Sequence, residues 1–164
     1  MVLKGYPLPE QLTTQSGAAL QVRPLAASDI ADVMALEARV QTHPWRRSSY
    51  EDCLNGRHHC WTVHNEGRLV GFVVVAWAGG DGELLNIAVA PEKQRHGVGK
   101  ALLELALEQI KPFASMLFLE VRVSNTQAIT FYEREQFFEV GHRPNYYPAN
   151  GGREDALILA RQLS

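Results

Sequence analysis

The residues with the most informative spacing run from Asn86 to Lys100. An apolar strand, Asn86-Ile87-Ala88-Val89-Ala90, is followed by Pro91-Glu92-Lys93-Gln94-Arg95-His96, a glycine pair in Gly97-Val98-Gly99, and Lys100 at the start of a helix. Glycine lets an anion approach the main chain with no Cβ in the way, and the helix that follows offers free N–H groups and a favourable dipole. The chemistry such a turn supports is the holding of a phosphate or diphosphate. Taken alone, a GxG serves any tight turn equally well; the strand before it and the helix after it are what favour the anion. Two nucleotide motifs fail on the same letters. A P-loop needs glycine five positions before Gly99 and Ser or Thr after Lys100, where Gln94 and Ala101 stand. A dinucleotide fingerprint needs glycine three positions after Gly99, where Leu102 stands. A second cluster, His58-His59-Cys60 with His64, lacks the paired spacings that place ligands on one ion, so no metal is expected.

The elements that must position this turn follow from periodicity. Leu20 to Leu25 alternates as a strand, and Ser28 is placed to cap a helix carrying Ile30, Val33, Met34 and Val40. The loop Gln41-Thr42-His43-Pro44-Trp45 breaks that helix at proline, which puts Trp45 in a loop, and Ser49 to Leu54 reads as a short helix closed by Asn55-Gly56. His59–His64, Arg68–Trp77 and Gly82–Val89 are separated by Asn65-Glu66-Gly67 and Gly79-Gly80-Asp81, an antiparallel meander. From Val98, the residues Ala101, Leu102, Leu105, Ala106 and Ile110 keep helical spacing up to Pro112. Met116 to Arg122 is a strand, Ser124-Asn125 caps a helix through Tyr132, and Phe137–Gly141 and Asp155–Ala160 are the last strands. This order predicts an α/β (α+β) fold, a mixed sheet of about six to seven strands flanked by about four helices. Residues 1–19 have weak periodicity and read as a flexible leader or surface strap; residues 20–164 are the folded domain.

Composition bounds the function. The 164 residues are the size of one domain, and 46% apolar with 21% charged residues suits a packed core rather than disorder. A formal charge of −2 gives no bulk attraction to nucleic acid or anionic lipid. The longest apolar stretch, Leu69 to Ala78, is interrupted by Gly71 and is about half a membrane span. The first residues lack the apolar region of a secretory signal, so the chain is expected to stay cytoplasmic with Cys53 and Cys60 reduced. Neither nucleic acid nor membrane is an expected partner.

Gln94-Arg95-His96-Gly97-Val98-Gly99 resembles the Q/R-x-x-G-x-G/A signature of the GCN5-related N-acetyltransferases (GNAT). Leu119-Glu120-Val121-Arg122-Val123-Ser124-Asn125, Phe131-Tyr132-Glu133, Asn145-Tyr146-Tyr147-Pro148 with Gly152-Arg153-Glu154-Asp155-Ala156, and His43-Pro44-Trp45 resemble its bacterial RimI branch. The likeness runs from about Leu20 to Leu163. It implies a GNAT fold, acetyl-CoA as co-substrate and transfer to the N-terminal alanine of a small-subunit ribosomal protein. It further implies Glu120 as general base and Tyr132 as proton donor to the CoA thiolate. For Glu120, strand alternation turns Leu119 and Val121 to the opposite face, and an apolar setting would raise its pKa to a useful value. Ile87, Ala88 and Val89 would offer backbone to the pantetheine amides, while Arg95, His96, Gly97, Val98, Gly99 and Lys100 cradle the pyrophosphate and Asn125 bonds the cofactor. His96 and Lys100 depart from the common Gln and Arg, with Lys100 keeping the charge. Trp45, Tyr146, Tyr147, Glu154 and Asp155 would line the peptide groove. Within the same fold, a protein lysine or a small-molecule amine is the alternative substrate, and an acyl-CoA-binding scaffold is the non-enzymatic alternative.

Overall fold

Central strands covered on both faces must be apolar at every position, and Phe72, Val73, Val74 and Val75 are all fully buried. They belong to β4 of a computed structural model that describes residues 7–163. Its strands are β1 (Gln11–Thr13), β2 (Ala19–Pro24), β3 (His59–Asn65), β4 (Arg68–Ala78), β5 (Asp81–Val89), β6 (Met116–Arg122), β7 (Phe138–Ala149) and β8 (Gly152–Gln162). Its α-helices are α1 (Ile30–Val40), α2 (Arg47–Leu54), α3 (Val98–Ile110) and α4 (Thr126–Arg134). One eight-stranded sheet runs in the order β1-β2-β3-β4-β5-β6-β8-β7. Its pairs are antiparallel except β5 with β6, which α3 connects as a βαβ unit.

Two cores sit on opposite faces of the sheet. On one face α3 contributes Leu102, Leu103, Ala106 and Ile110 against Val73 and Val75, with Leu119 and Val121 of β6 and Tyr132 of α4 in the same cluster. On the other face α1 and α2 contribute Ile30, Val33, Leu36 and Tyr50 against Phe72, Val74 and Ala88. Cys60 belongs to this second core and Cys53 packs against it, both as free thiols. Among the described residues, no helix is long and apolar enough to cross a membrane.

The eighth strand is the addition to the expected sheet, and it comes from the segment read as a flexible leader. Residues 1–6 of that segment lie outside the described residues, but Gln11–Thr13 pairs with Ala19–Gln21, Leu12 packs on the α3 core and Thr14 is buried. The folded unit therefore begins before Leu20, and a three-residue edge strand is too short to show a period. Ser28 does not cap α1: it sits in a 3-10 turn, Ala27–Asp29. The Asp29 carboxylate instead accepts the Ala26 N–H at 2.9 Å and the Arg23 guanidinium at 2.5 Å. Burial works against that charge, yet the Ala26 and Arg23 bonds hold its carboxyl below the usual range. Finally, β7 and β8 are each about twice their expected length. Proline is tolerated at a sheet edge, and β7 carries Pro144 and Pro148 on the outermost strand.

Candidate active site

The β5–β6 ladder holds three residue pairs, Asp81 with Met116, Gly82 with Leu117 and Glu83 with Phe118. It ends there, although β5 continues to Val89 and β6 to Arg122, so the two strands part into an open wedge. Across the wedge, Asn86 to Val89 remain paired only to β4, while Leu119 to Arg122 are paired to β8. Ile87, Ala88 and Val89, expected to offer backbone to a ligand, thus lie where β5 has an unpaired edge. A bulge prepares this edge: Val75 pairs with Leu84 and Val74 with Asn86, leaving Leu85 as the extra residue. The inserted residue reverses alternation, so Leu84 joins the α3 core whereas Asn86 turns toward α1.

At the wide end of the wedge stands the glycine turn. Arg95 (φ 65°) and Gly97 (φ 86°) both adopt the left-handed region, which favours glycine and strains arginine. Gly97 is the N-cap residue of α3, whose first N–H groups have no partner within the helix. At Gly99 a Cβ would meet nothing closer than 3.8 Å, from Val89, so the protein leaves the approach to those N–H groups open. Val98 is buried beneath the turn, and Lys100 lies 3.6 Å from the Glu135 carboxylate. Asn125 caps α4, its side-chain oxygen accepting the Ala128 N–H at 3.2 Å, which leaves the amide NH2 to bond a ligand.

Glu120 projects from one face of β6, and Tyr132 of α4 packs on the other. Glu120 alternates with Leu119 and Val121 and points to the α1–α2 side. Its surroundings correct the apolar setting expected for it: the Arg143 Nε is 2.8 Å from its Oε1, and its side chain is 27% exposed. Tyr132 is buried on the α3 side, its ring against Phe131 and Phe137, and burial pushes its phenol above the ordinary value. Such a phenol holds its proton at neutral pH.

The wall on the Glu120 side is aromatic. The Glu120 carboxylate raises the phenol of Tyr146, whose ring contacts Tyr147 at 4.8 Å. Burial, then Glu120, pushes the Tyr147 phenol up to about 12. Arg122 lies 4.5 Å over the Tyr147 ring and 3.1 Å from His43 Nδ1, tying the α1–α2 loop to β6. Trp45, two residues on, is half-buried against Tyr50 at 5.4 Å. Glu154 and Asp155 have other partners. Arg122 takes Glu154 at 2.9 Å; His142 and the Asn145 N–H take Asp155 at 2.7 and 2.9 Å. These bonds hold both carboxyls below their usual ranges; they tie Glu154 to β6, through Arg122, and Asp155 to β7.

Residues 29–137 match the family model described as Acetyltransferase (GNAT) family. The chain belongs to this family. The [ribosomal protein bS18]-alanine N-acetyltransferase of Escherichia coli K12 is 36% identical over 141 residues, 85% of this chain and 95% of that one. The enzyme of that description from Haemophilus influenzae is 33% identical over 85% of this chain and 96% of its own. The crystal structure of the E. coli ribosomal-protein-S18-alanine N-acetyltransferase superposes with a TM-score of 0.81 at 34% identity, covering 88% of this chain and 94% of that one. The open edge of β5, the free N–H groups before α3 and the clear approach at Gly99 fit the pantetheine and diphosphate of acetyl-CoA.

In this GNAT chain the sequence reading passed over one set of residues, centred on Glu37. Its side chain is 1% exposed. Oε1 accepts the Tyr50 hydroxyl at 2.5 Å and the Trp45 backbone N–H at 2.9 Å, while Oε2 accepts the Asn86 amide at 2.8 Å. Gln41 bonds the other end of Asn86 at 2.7 Å. Burial and the Glu37 carboxylate push the Tyr50 phenol upward. The network joins α1, the Trp45 loop, α2 and the β5 bulge, so it ties the aromatic wall to the strand that borders the wedge. A signal was present: position 37 continues the buried series 30, 33, 37 with a carboxylate, a polar residue where the period calls for an apolar one.

Proposed function

We propose that this chain transfers the acetyl group of acetyl-CoA to the N-terminal α-amine of a protein, with the N-terminal alanine of a small-subunit ribosomal protein as the substrate class. The observation that carries the reading is the β5–β6 wedge, with a carboxylate on one face, a buried phenol on the other and a glycine turn at its wide end. Bound acetyl-CoA supplies an acyl thioester. Ile87, Ala88 and Val89 offer main-chain groups to its pantetheine; Arg95, His96, Gly97, Val98, Gly99 and Lys100 enclose its diphosphate, with the Asn125 amide beside them. Glu120, directly or through one water, accepts the proton that the attacking amine must lose. The Tyr132 hydroxyl gives a proton to the departing sulfur, and its position in the core keeps that proton from bulk water. Trp45, Tyr146 and Tyr147 enclose the entering peptide, and Glu154 and Asp155 support the hairpin carrying the two tyrosines. The same reading places the enzyme in the cytoplasm, where ribosomal proteins are made.

An α-amine suits this machinery better than a lysine. With a pKa of about 7.7–8.0 it is partly neutral at pH 7, whereas lysine near 10.4 is almost wholly charged. The test is mass spectrometry of two peptides incubated with the enzyme and acetyl-CoA, one with a free N-terminal alanine and no lysine, one α-blocked with an internal lysine. Acetylation of the free alanine alone is expected. Acetylation of the lysine alone would reject the α-amine reading. Reaction of neither, with CoA binding intact, would move small amines or a scaffold role ahead.

Tyr132→Phe keeps the core packing and removes the donor. Turnover is expected to fall about a hundredfold or more, with the affinity for CoA unchanged. Steady-state kinetics together with CoA calorimetry check this, and wild-type turnover would exclude a catalytic hydroxyl.

A further inference from the structure

The turn joining β1 to β2 is folded against the back of the glycine turn. Within it, Gly17 N–H donates to the Thr14 carbonyl at 2.9 Å, and the Ala18 N–H donates to Thr14 Oγ1 at 3.1 Å. Thr14 Oγ1 lies 2.9 Å from Ser16 Oγ, and Ser16 Oγ donates to the carbonyl oxygen of His96 at 3.1 Å. The approach is close at the next residue as well: a Cβ on Gly97 would lie 3.3 Å from the Gln15 nitrogen and 3.6 Å from the Thr14 Cβ. The hairpin is anchored independently, through β1–β2 pairing and through Leu8 and Leu12 on the α3 core. None of it falls within the residues matched by the family model, 29–137.

A trans peptide is planar, and its C=O and N–H point in opposite directions. Ser16, by holding the His96 carbonyl on the hairpin side, turns the Gly97 N–H to the far side, toward the open approach to α3. This peptide lies between the left-handed residues Arg95 and Gly97, and glycine's freedom in φ and ψ by itself admits more than one orientation of it. A fixed hydrogen bond from outside the loop selects one of them before the ligand arrives, which lowers the ordering cost of binding.

We propose that the N-terminal hairpin, through Thr14 and Ser16, is a positioning element of the diphosphate site, fixing the His96–Gly97 peptide so that the Gly97 N–H faces the diphosphate of CoA. This rests on the acetyl-CoA reading above. The test compares Ser16→Ala and Ser16→Thr with wild type by titration calorimetry with CoA, and by kcat/KM with acetyl-CoA and with S-acetylpantetheine, which lacks the diphosphate. Ser16→Ala is expected to weaken CoA binding about three- to tenfold, the worth of one hydrogen bond. The acetyl-CoA kcat/KM should fall in parallel, while that for S-acetylpantetheine and the peptide KM stay as in wild type. Ser16→Thr, which keeps the hydroxyl, should restore CoA affinity. Wild-type CoA affinity in Ser16→Ala would overturn the proposal, as would equal losses with both donors, since a general loosening of the fold does not distinguish them. Failure of the wild-type protein to bind CoA would instead remove the acetyl-CoA reading, and this proposal with it.

Discussion

Glu120→Gln is expected to lower kcat by about 10²–10⁴-fold, the range for loss of a positioned general base, with no change in CoA affinity. The substitution is chosen because it changes little else. Glutamine has the same length, its oxygen can still accept the Arg143 Nε that now lies 2.8 Å from the carboxylate, and only the ability to take a proton is lost. The Glu120–Arg143 pair is itself partly exposed, 53% on the arginine side, so solvent screens it and its contribution to stability is about 0–1 kcal/mol. A fall in kcat therefore reports chemistry and not unfolding. Two measurements decide it: steady-state kinetics with a free N-terminal alanine peptide, and a CoA titration on the same sample. A kcat within about threefold of wild type would move the base elsewhere in the wedge, against the Brønsted range expected for a positioned carboxylate.

The second large effect is on stability. Glu37→Ala removes a carboxylate that takes three donors in a site 1% exposed: the Tyr50 hydroxyl, the Trp45 N–H and the Asn86 amide. Each donor left unsatisfied costs about 1–3 kcal/mol, and the deleted side chain leaves a cavity besides. A loss of about 3 kcal/mol or more follows, which for a chain of this size lowers Tm by about 6–12 °C. Glu37→Gln should fall between, because its amide brings a further donor into a site already crowded with them. Thermal and urea denaturation measure the loss; a change below about 1 kcal/mol would mean that the Tyr50, Trp45 and Asn86 groups find other partners. A kinetic consequence accompanies it. In Glu37→Ala the Trp45 loop loses its anchor, so there the peptide KM should rise more than the KM for acetyl-CoA.

Glu37 also marks where reading from sequence stopped. Its position in the helical period showed that a carboxylate faced the core, but its partners come from 8, 13 and 49 residues away along the chain. No local pattern brings Trp45, Tyr50 and Asn86 together. The same holds for Arg143 on Glu120, joined across three strands in the order β6-β8-β7. Alternation placed Glu120 opposite Leu119 and Val121, and that held; it had no bearing on which charge would arrive from β7. The β7 strand itself was read short because it is exposed on both faces and broken by prolines, which removes the period that reveals buried strands. β1 escaped for a related reason, since three residues on an edge owe their conformation to pairing with β2.

What the sequence determined by itself is whatever rests on local physics. The helical stripe of α3, the glycine turns of the meander, the Asn125 cap and the Gly97–Gly99 turn before a helix each follow from neighbours a few residues apart. The motifs that mark the GNAT family are of this kind, which is why family and fold could be read from one chain. Tertiary structure alone decided where the β5–β6 ladder stops, that the Leu85 bulge turns Asn86 to Glu37, which carboxylates are paired, and that the N-terminal segment grips the glycine turn. These depend on strand register and on side chains meeting across the sheet. Their energies come from contacts between residues up to 80 positions apart, as Ser16 and His96 are, and so leave no period in the sequence that carries them.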